Sequence, residues 1–352
     1  MSKMLEETRQ QPNALARTLE EALPALEGLR GHFERHRPRS VILVARGTSD
    51  NAAQFGRYLI EITTRIPVSL AAPSVITLYG CPLDLTDVLV VGISQSGEST
   101  DTNAVLEDAR SRGALTVGIT NESSGRMARI ADHVLLARAG REESVAATKT
   151  YTCQLLALYL LAYALGGSVS IGMLRRLPDW VVSVLEMEES IAEIAERYTF
   201  MTRAVSVGRG LNYSNALELG LKLMETSYVV AERFSAADLL HGPIAMVEHA
   251  FPVFVFAPAG VTWPSMSEVL ERVKELKAET LVFTDSANAD ACAKPARLIQ
   301  LPIHCDPAEG PEDLYTPIPY IVPAQLFAAH LAWIKGFNPD RPRALHKITM
   351  TM

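Results

Sequence analysis

The sequence predicts an α/β protein made of two tandem doubly wound domains, each with a parallel sheet flanked by helices, plus an N-terminal helix and a docked C-terminal tail. Three observations predict it. Short, continuously apolar runs end in turn residues and alternate with helical stretches, the signature of strands buried on both faces of a parallel sheet. The second half repeats the plan of the first: Val205-Ser206-Val207-Gly208-Arg209-Gly210 resembles Leu43-Val44-Ala45-Arg46-Gly47, and Pro252-Val253-Phe254-Val255-Phe256-Ala257 resembles Val88-Leu89-Val90-Val91-Gly92-Ile93. The two anchors give offsets of 163 (Gly47 to Gly210) and 164 (Leu89 to Val253), which argues for a duplicated unit.

The elements follow in order. Leu15, Leu19, Leu23, Leu26 and Leu29 recur at helical spacing and make residues 1–34 a helical lead-in. A first domain, 35–175, opens with the strand Ser40–Ala45, turns at Gly47-Thr48-Ser49 and continues as a helix over 50–62. Further strands are expected at 88–93, 115–119 and 133–136, with helices near 99–112 and 144–165. The apolar run Leu155–Leu165, broken by Tyr159 and Tyr163, is too short to span a bilayer and reads as a core helix. A second domain covers 195–336, and a tail covers 337–352.

Composition sets limits on function. A net charge of −7 leaves no basic footprint for nucleic acid, so the expected partner is a small molecule. The polar, charged start Met1–Glu7 is not a signal peptide. Cys81, Cys153, Cys292 and Cys305 show no C-x-x-C spacing and read as unpaired apolar fillers of a reducing compartment. Together these features imply a cytoplasmic globular enzyme with no membrane partner; no metal and no cofactor is expected.

The duplication fails at one informative place. After the strand 88–93 stands Ser94-Gln95-Ser96-Gly97-Glu98-Ser99-Thr100; the equivalent stretch Pro258-Ala259-Gly260-Val261-Thr262 has almost no hydroxyls. Open α/β sheets bind ligands at the carboxyl ends of their strands, and the start of a helix attracts an anion. Ser94, Ser96, Ser99 and Thr100 add neutral donors, which suits the phosphate of a sugar. The loop lacks the Lys of a nucleotide-binding P-loop and the final Gly of a G-x-S-x-G elbow. An ordinary N-cap and turn is the alternative reading.

Glu218, Lys222 and Glu225 stand at i, i+4 and i+7 among Leu217, Leu219, Leu221, Leu223 and Met224. They share one helix face, either as charges turned into an enclosed site, where a carboxylate can serve as a base, or as a solvated pair. His241 precedes a Gly242-Pro243 break, placed as an acid or base or simply as an exposed loop residue. The tail Pro342-Arg343-Ala344-Leu345-His346-Lys347-Ile348-Thr349-Met350 is apolar enough to dock rather than fray, and carries Lys347.

Arg46-Gly47-Thr48-Ser49, Ser94–Ser99, Val145-Ala146-Ala147-Thr148-Lys149, Glu218-x-x-x-Lys222-x-x-Glu225, His241-Gly242-Pro243 and Pro342-Arg343-x-Leu345-x-Lys347, in this order, resemble the sugar isomerase (SIS) fold. More narrowly they resemble the isomerase half of glutamine–fructose-6-phosphate amidotransferase. That resemblance implies two SIS domains and a homodimer with shared active sites. It implies that Gly47, Thr48, Ser49, Ser94, Gln95, Ser96, Ser99, Thr100, Val145 and Ala147 bind a hexose or hexosamine 6-phosphate. Glu225 would move the proton between C2 and C1 beside Lys222 and Glu218, His241 would open the ring in the neighbouring subunit, and Lys347 would contact the open-chain sugar. Ala147 stands where the family carries Ser. The chain begins Met1-Ser2 and reaches the sugar domain by about residue 40, with no cysteine placed as an N-terminal glutaminase nucleophile. The expected reaction is therefore that of the SIS-type glucosamine-6-phosphate deaminases. Rival expectations are a galactosamine- or fructosamine-6-phosphate enzyme, a simple sugar-phosphate isomerase, or a non-catalytic sugar-phosphate sensor.

Overall fold

The computed structural model describes residues 2–293, 297–305, 308 and 310–345. It contains two five-stranded parallel sheets. In the first, β1 (Ser40–Val44), β2 (Val68–Leu70), β3 (Val88–Ser94), β4 (Leu115–Thr120) and β5 (His133–Leu136) lie in the order β2-β1-β3-β4-β5. In the second, β6 (Arg203–Gly208), β7 (Val230–Ser235), β8 (Pro252–Phe256), β9 (Glu279–Asp285) and β10 (Arg297–Leu301) lie in the order β7-β6-β8-β9-β10. The two orders are the same topology read through the repeat. Registers agree too: Val41 pairs with Leu89 and Val205 with Val253, so both members are shifted by the same 164 residues (205 − 41 and 253 − 89).

The first unit is built on Asn13–Glu142 and Lys149–Arg175. All seven residues of β3 are buried, as its unbroken apolar run requires. Gly92 lies at its centre because a Cβ there would meet Leu106 Cδ1 at 2.5 Å; glycine lets the helix Thr100–Ser111 lie directly on the strand. The helix Lys149–Ala164 is buried along its length apart from Tyr163, and packs on Thr48–Thr64. The lead-in helix runs Gln11–Arg35, with Leu15, Leu19, Leu26 and Leu29 buried.

The second unit is built on Glu143–Thr148 and Arg176–Ala344, with the N-terminal residues as far as Pro12. Its core helix, Pro317–Ile334, is the one described helix long and apolar enough to cross a membrane, and 83% of that span is buried within the protein. The tail docks on this unit: the Asp340 carboxylate accepts from Ser2 Oγ and from the Lys3 and Met4 N–H groups, each at 2.8 Å.

Two expectations are corrected. The helix expected from 144 begins at Lys149, because the Glu143 and Ser144 N–H groups donate to the Glu7 carboxylate instead of entering a helical turn. Cys153 and Cys305 are buried fillers and no cysteine is paired, but Cys81 is exposed. It lies in an exposed connection, Leu78–Leu83.

Candidate active site

In a sheet of order 2-1-3-4-5 the ligand crevice forms where the chain reverses direction across the sheet, outside the carboxyl ends of the first and third strands. Here these are β1 and β3, followed by Gly47-Thr48-Ser49 and Ser94–Thr100. Gly47 (φ +58°) and Gly97 (φ +67°) take left-handed conformations that turn the chain out of each strand. A side chain at Gly97 would also press a Cβ against Thr120 Oγ1 at 3.0 Å. The two loops are tied together: Arg46 donates to Asp101 Oδ2 from Nη2 at 2.7 Å and from Nε at 3.1 Å.

Two of the four hydroxyls of the Ser94–Thr100 loop are unspent. Ser99 is the N-cap of the helix Thr100–Ser111, yet its side chain caps no backbone N–H and meets Thr102 Oγ1 at 3.0 Å. That departs from the ordinary N-cap reading and leaves the first-turn donors of the helix for an anion. Among the described residues the Ser94 and Thr100 hydroxyls have no hydrogen-bond partner within the protein, while Ser96 Oγ accepts from the Glu98 N–H at 3.2 Å. Ser49 is buried and accepts from Gln154 Nε2 at 3.0 Å.

The repeat of this cradle in the second unit is already filled. After β8, Thr262 Oγ1 faces the buried Asp313 carboxylate at 3.4 Å. A Cβ on Gly260 would meet Glu312 Cβ at 3.1 Å. Burial raises the Asp313 pKa above the ordinary carboxylate value. The protein's own carboxylates, Glu312 and Asp313, lie against this second loop.

The helix Tyr213–Ser227 carries the predicted acid–base face. Glu218 is 0% and Lys222 1% exposed, which removes the solvated-pair reading. Lys222 Nζ lies 3.3 Å from Glu218 Oε1 and 2.6 Å from Glu225 Oε2, and Glu225 keeps 23% exposure. Burial pushes the Lys222 pKa down, but Glu218 and Glu225 outweigh it and hold the ammonium above the usual lysine value. The arrangement is a fixed cation, anchored from below by a buried carboxylate, that orients a second carboxylate with access to the outside.

His241 follows the helix Ala236–Leu240 and is exposed. Val145 is half-buried and Ala147 buried, both in the second unit. Thus Gly47–Ser49 and Ser94–Thr100 come together in the first unit, and Glu218, Lys222 and Glu225 in the second. Lys347 lies outside the described residues. Sequence reasoning missed Asp101, which is buried in the first turn of its helix. An acidic residue there reads as a complement to the helix dipole, and nothing in the spacing pairs it with Arg46, 55 residues away.

This sheet order, its duplication and the hydroxyl loop at the strand crossover define a double sugar-isomerase protein. The SIS domain profile matches residues 36–164 and 201–335, and the chain belongs to that family. It is similar to glutamine–fructose-6-phosphate aminotransferase [isomerizing] of Pyrococcus horikoshii, at 40% identity over 98% of this chain and 57% of that protein. The chain thus spans a little over half the length of such relatives. The C-terminal domain of glucosamine-fructose-6-phosphate aminotransferase from Francisella tularensis superposes with a TM-score of 0.87 at 28% identity, covering 97% of this chain and 98% of that one. Glucosamine-6-phosphate deaminase of Thermotoga maritima shares the fold, with a TM-score of 0.75 at 22% identity over 99% of this chain and 100% of that one.

Proposed function

We propose that this chain is an amino-sugar phosphate deaminase/isomerase that converts glucosamine 6-phosphate and water to fructose 6-phosphate and ammonia. The observation that carries the reading is the Glu218–Lys222–Glu225 line. A buried ammonium costs several kcal/mol of desolvation unless well paired, and here it holds one partly accessible carboxylate in a single orientation. That is the equipment of a proton shuttle. The hydroxyl loop, at the strand crossover and with donors unspent, supports the phosphate assignment.

The steps follow from these groups. His241, from a neighbouring subunit of a homodimer, assists opening of the ring. Glu225 removes the C2 proton of the aldehyde form, giving an enolamine whose C1 hydroxyl is kept. The same carboxyl returns the proton to C1, leaving an imine at C2. Water adds at C2 and ammonia leaves. Lys222 steadies the Glu225 carboxylate, and Lys347 contacts the sugar near C2. Ser94, Gln95, Ser96, Ser99 and Thr100, with Gly47, Thr48 and Ser49, hold the phosphate and hydroxyls; Val145 and Ala147 border the sugar. Free ammonia is dilute in cells and water is in excess, which favours hydrolysis of the imine.

A second reading is the reverse direction, formation of the amino sugar from fructose 6-phosphate and supplied ammonia. The 40% identity to an aminotransferase named as isomerizing favours it. The test is a panel of glucosamine, galactosamine and fructosamine 6-phosphates assayed for ammonia release. We expect release from glucosamine 6-phosphate; release from none of the three overturns the proposal.

A further inference from the structure

The helix that carries Glu225 ends at Tyr228, whose backbone is left-handed at φ +55° and ψ +29°. Helices commonly end in this conformation, but with glycine, since a side chain there is strained. A tyrosine stands at a position that favours glycine, and its side chain makes contacts that glycine cannot. It makes three contacts. The hydroxyl accepts from the Arg343 N–H at 3.0 Å, the Arg343 guanidinium lies 3.8 Å from the ring centroid, and the Phe337 ring meets it edge-on with centroids 4.8 Å apart. Both partner residues belong to the tail beyond the helix Pro317–Ile334. The Asp340 carboxylate, between them in sequence, fastens the same tail to the start of the chain.

We propose that Tyr228 is a positioning residue that latches the C-terminal tail to the end of the acid–base helix. The latch fixes the course of the chain four residues before Lys347 and three residues after Glu225. This deepens the proposed function and rests on its assignment of Lys347 to the sugar. A substrate contact delivered by a tail is only as well placed as the last fixed point before it.

The test compares Tyr228→Gly, Tyr228→Ala and Tyr228→Phe in the full chain. Trypsin does not cut before proline, so Arg343–Ala344 rather than Arg341–Pro342 is the tryptic bond that guards Lys347, and its cleavage releases residues 344–352. We expect Tyr228→Gly and Tyr228→Ala to be cleaved there on the order of tenfold faster, the cost of losing a hydrogen bond and a cation–π contact. Tyr228→Phe, which keeps the ring, should fall between. The thermal midpoint of Tyr228→Gly should not drop, because glycine relieves the backbone strain. In the turnover assay kcat should fall while KM for the sugar phosphate holds. Cleavage at the wild-type rate in Tyr228→Gly overturns the latch, and so does faster cleavage with unchanged kcat. Faster cleavage in a chain that turns over no hexose phosphate upholds the latch and instead removes the proposed function.

Discussion

Replacing Lys222 by Met keeps the length of the side chain and deletes its charge. Glu218, 0% exposed and 3.3 Å from Nζ, then loses its ammonium, whereas Glu225 at 23% exposure retains water. Coulomb attraction at that distance is about 5 kcal/mol for an effective dielectric of about 20. Breaking a buried pair by removing one partner costs about 3–5 kcal/mol. The variant has an escape: Glu218 can take up a proton. Against an ordinary glutamate value of about 4.3, that costs about 3.7 kcal/mol at pH 7 and about 1 kcal/mol at pH 5. The expected destabilisation is therefore about 3–4 kcal/mol at pH 7, shrinking by about 1.4 kcal/mol per pH unit on acidification. Adding Glu218→Gln should recover most of it. Trp180, Trp263 and Trp333 all belong to the second unit, so tryptophan fluorescence in urea reports the unit concerned. A cost below about 1 kcal/mol at pH 7, or one that does not change with pH, refutes the buried ion line.

Ser94→Ala and Thr100→Ala should each raise KM for the sugar phosphate about fivefold, one neutral hydrogen bond apiece, with little change in kcat; steady-state kinetics reads both. Titration calorimetry should find one hexose 6-phosphate per chain, because Asp313 and Glu312 fill the second cradle. Burial alone would raise the pKa of the partly buried Glu188, but the Arg9 guanidinium (2.6 and 2.8 Å), with a hydrogen bond to His330 (3.1 Å), outweighs it and holds the carboxyl below the ordinary glutamate value. A depressed carboxyl contributes stability above its unfolded pKa and loses it as the pH falls through the folded one. Glu188→Gln should therefore cost about 1 kcal/mol at pH 7, and the gap to the wild type should close below about pH 4, as urea midpoints across pH will show.

The fold was legible where strands are buried on both faces. The runs at β1, β3 and β8 stand out because nothing polar interrupts them. Three of the four edge strands hide for the opposite reason. Val68–Leu70 is three residues long, β7 carries Glu232 and Arg233, and β10 carries Arg297 and Gln300, so solvent contact erases their signature. The unit boundaries were hidden as well. Nothing in Glu143–Thr148 announces that these six residues belong with the second sheet while their neighbours belong with the first.

Of the candidate site, the hydroxyl loop and the i, i+4, i+7 line were readable from residue type and spacing. The burial of Lys222 was not, since lysine is among the residues least often buried and its two partners decide the matter. The Arg46–Asp101 tie and the carboxylate in the second cradle are contacts between distant positions, set by the sheet order alone. Tyr228 is invisible in sequence because its meaning lies in a backbone angle.

The role proposed for Glu225 is to move the proton between C2 and C1 on the way to ammonia. Ammonia and fructose 6-phosphate should form in equal amounts from glucosamine 6-phosphate, and Glu225→Gln should lower kcat by roughly a hundredfold to ten-thousandfold while phosphate-dependent binding persists. Turnover in Glu225→Gln close to the wild-type rate rules out Glu225 as the proton carrier.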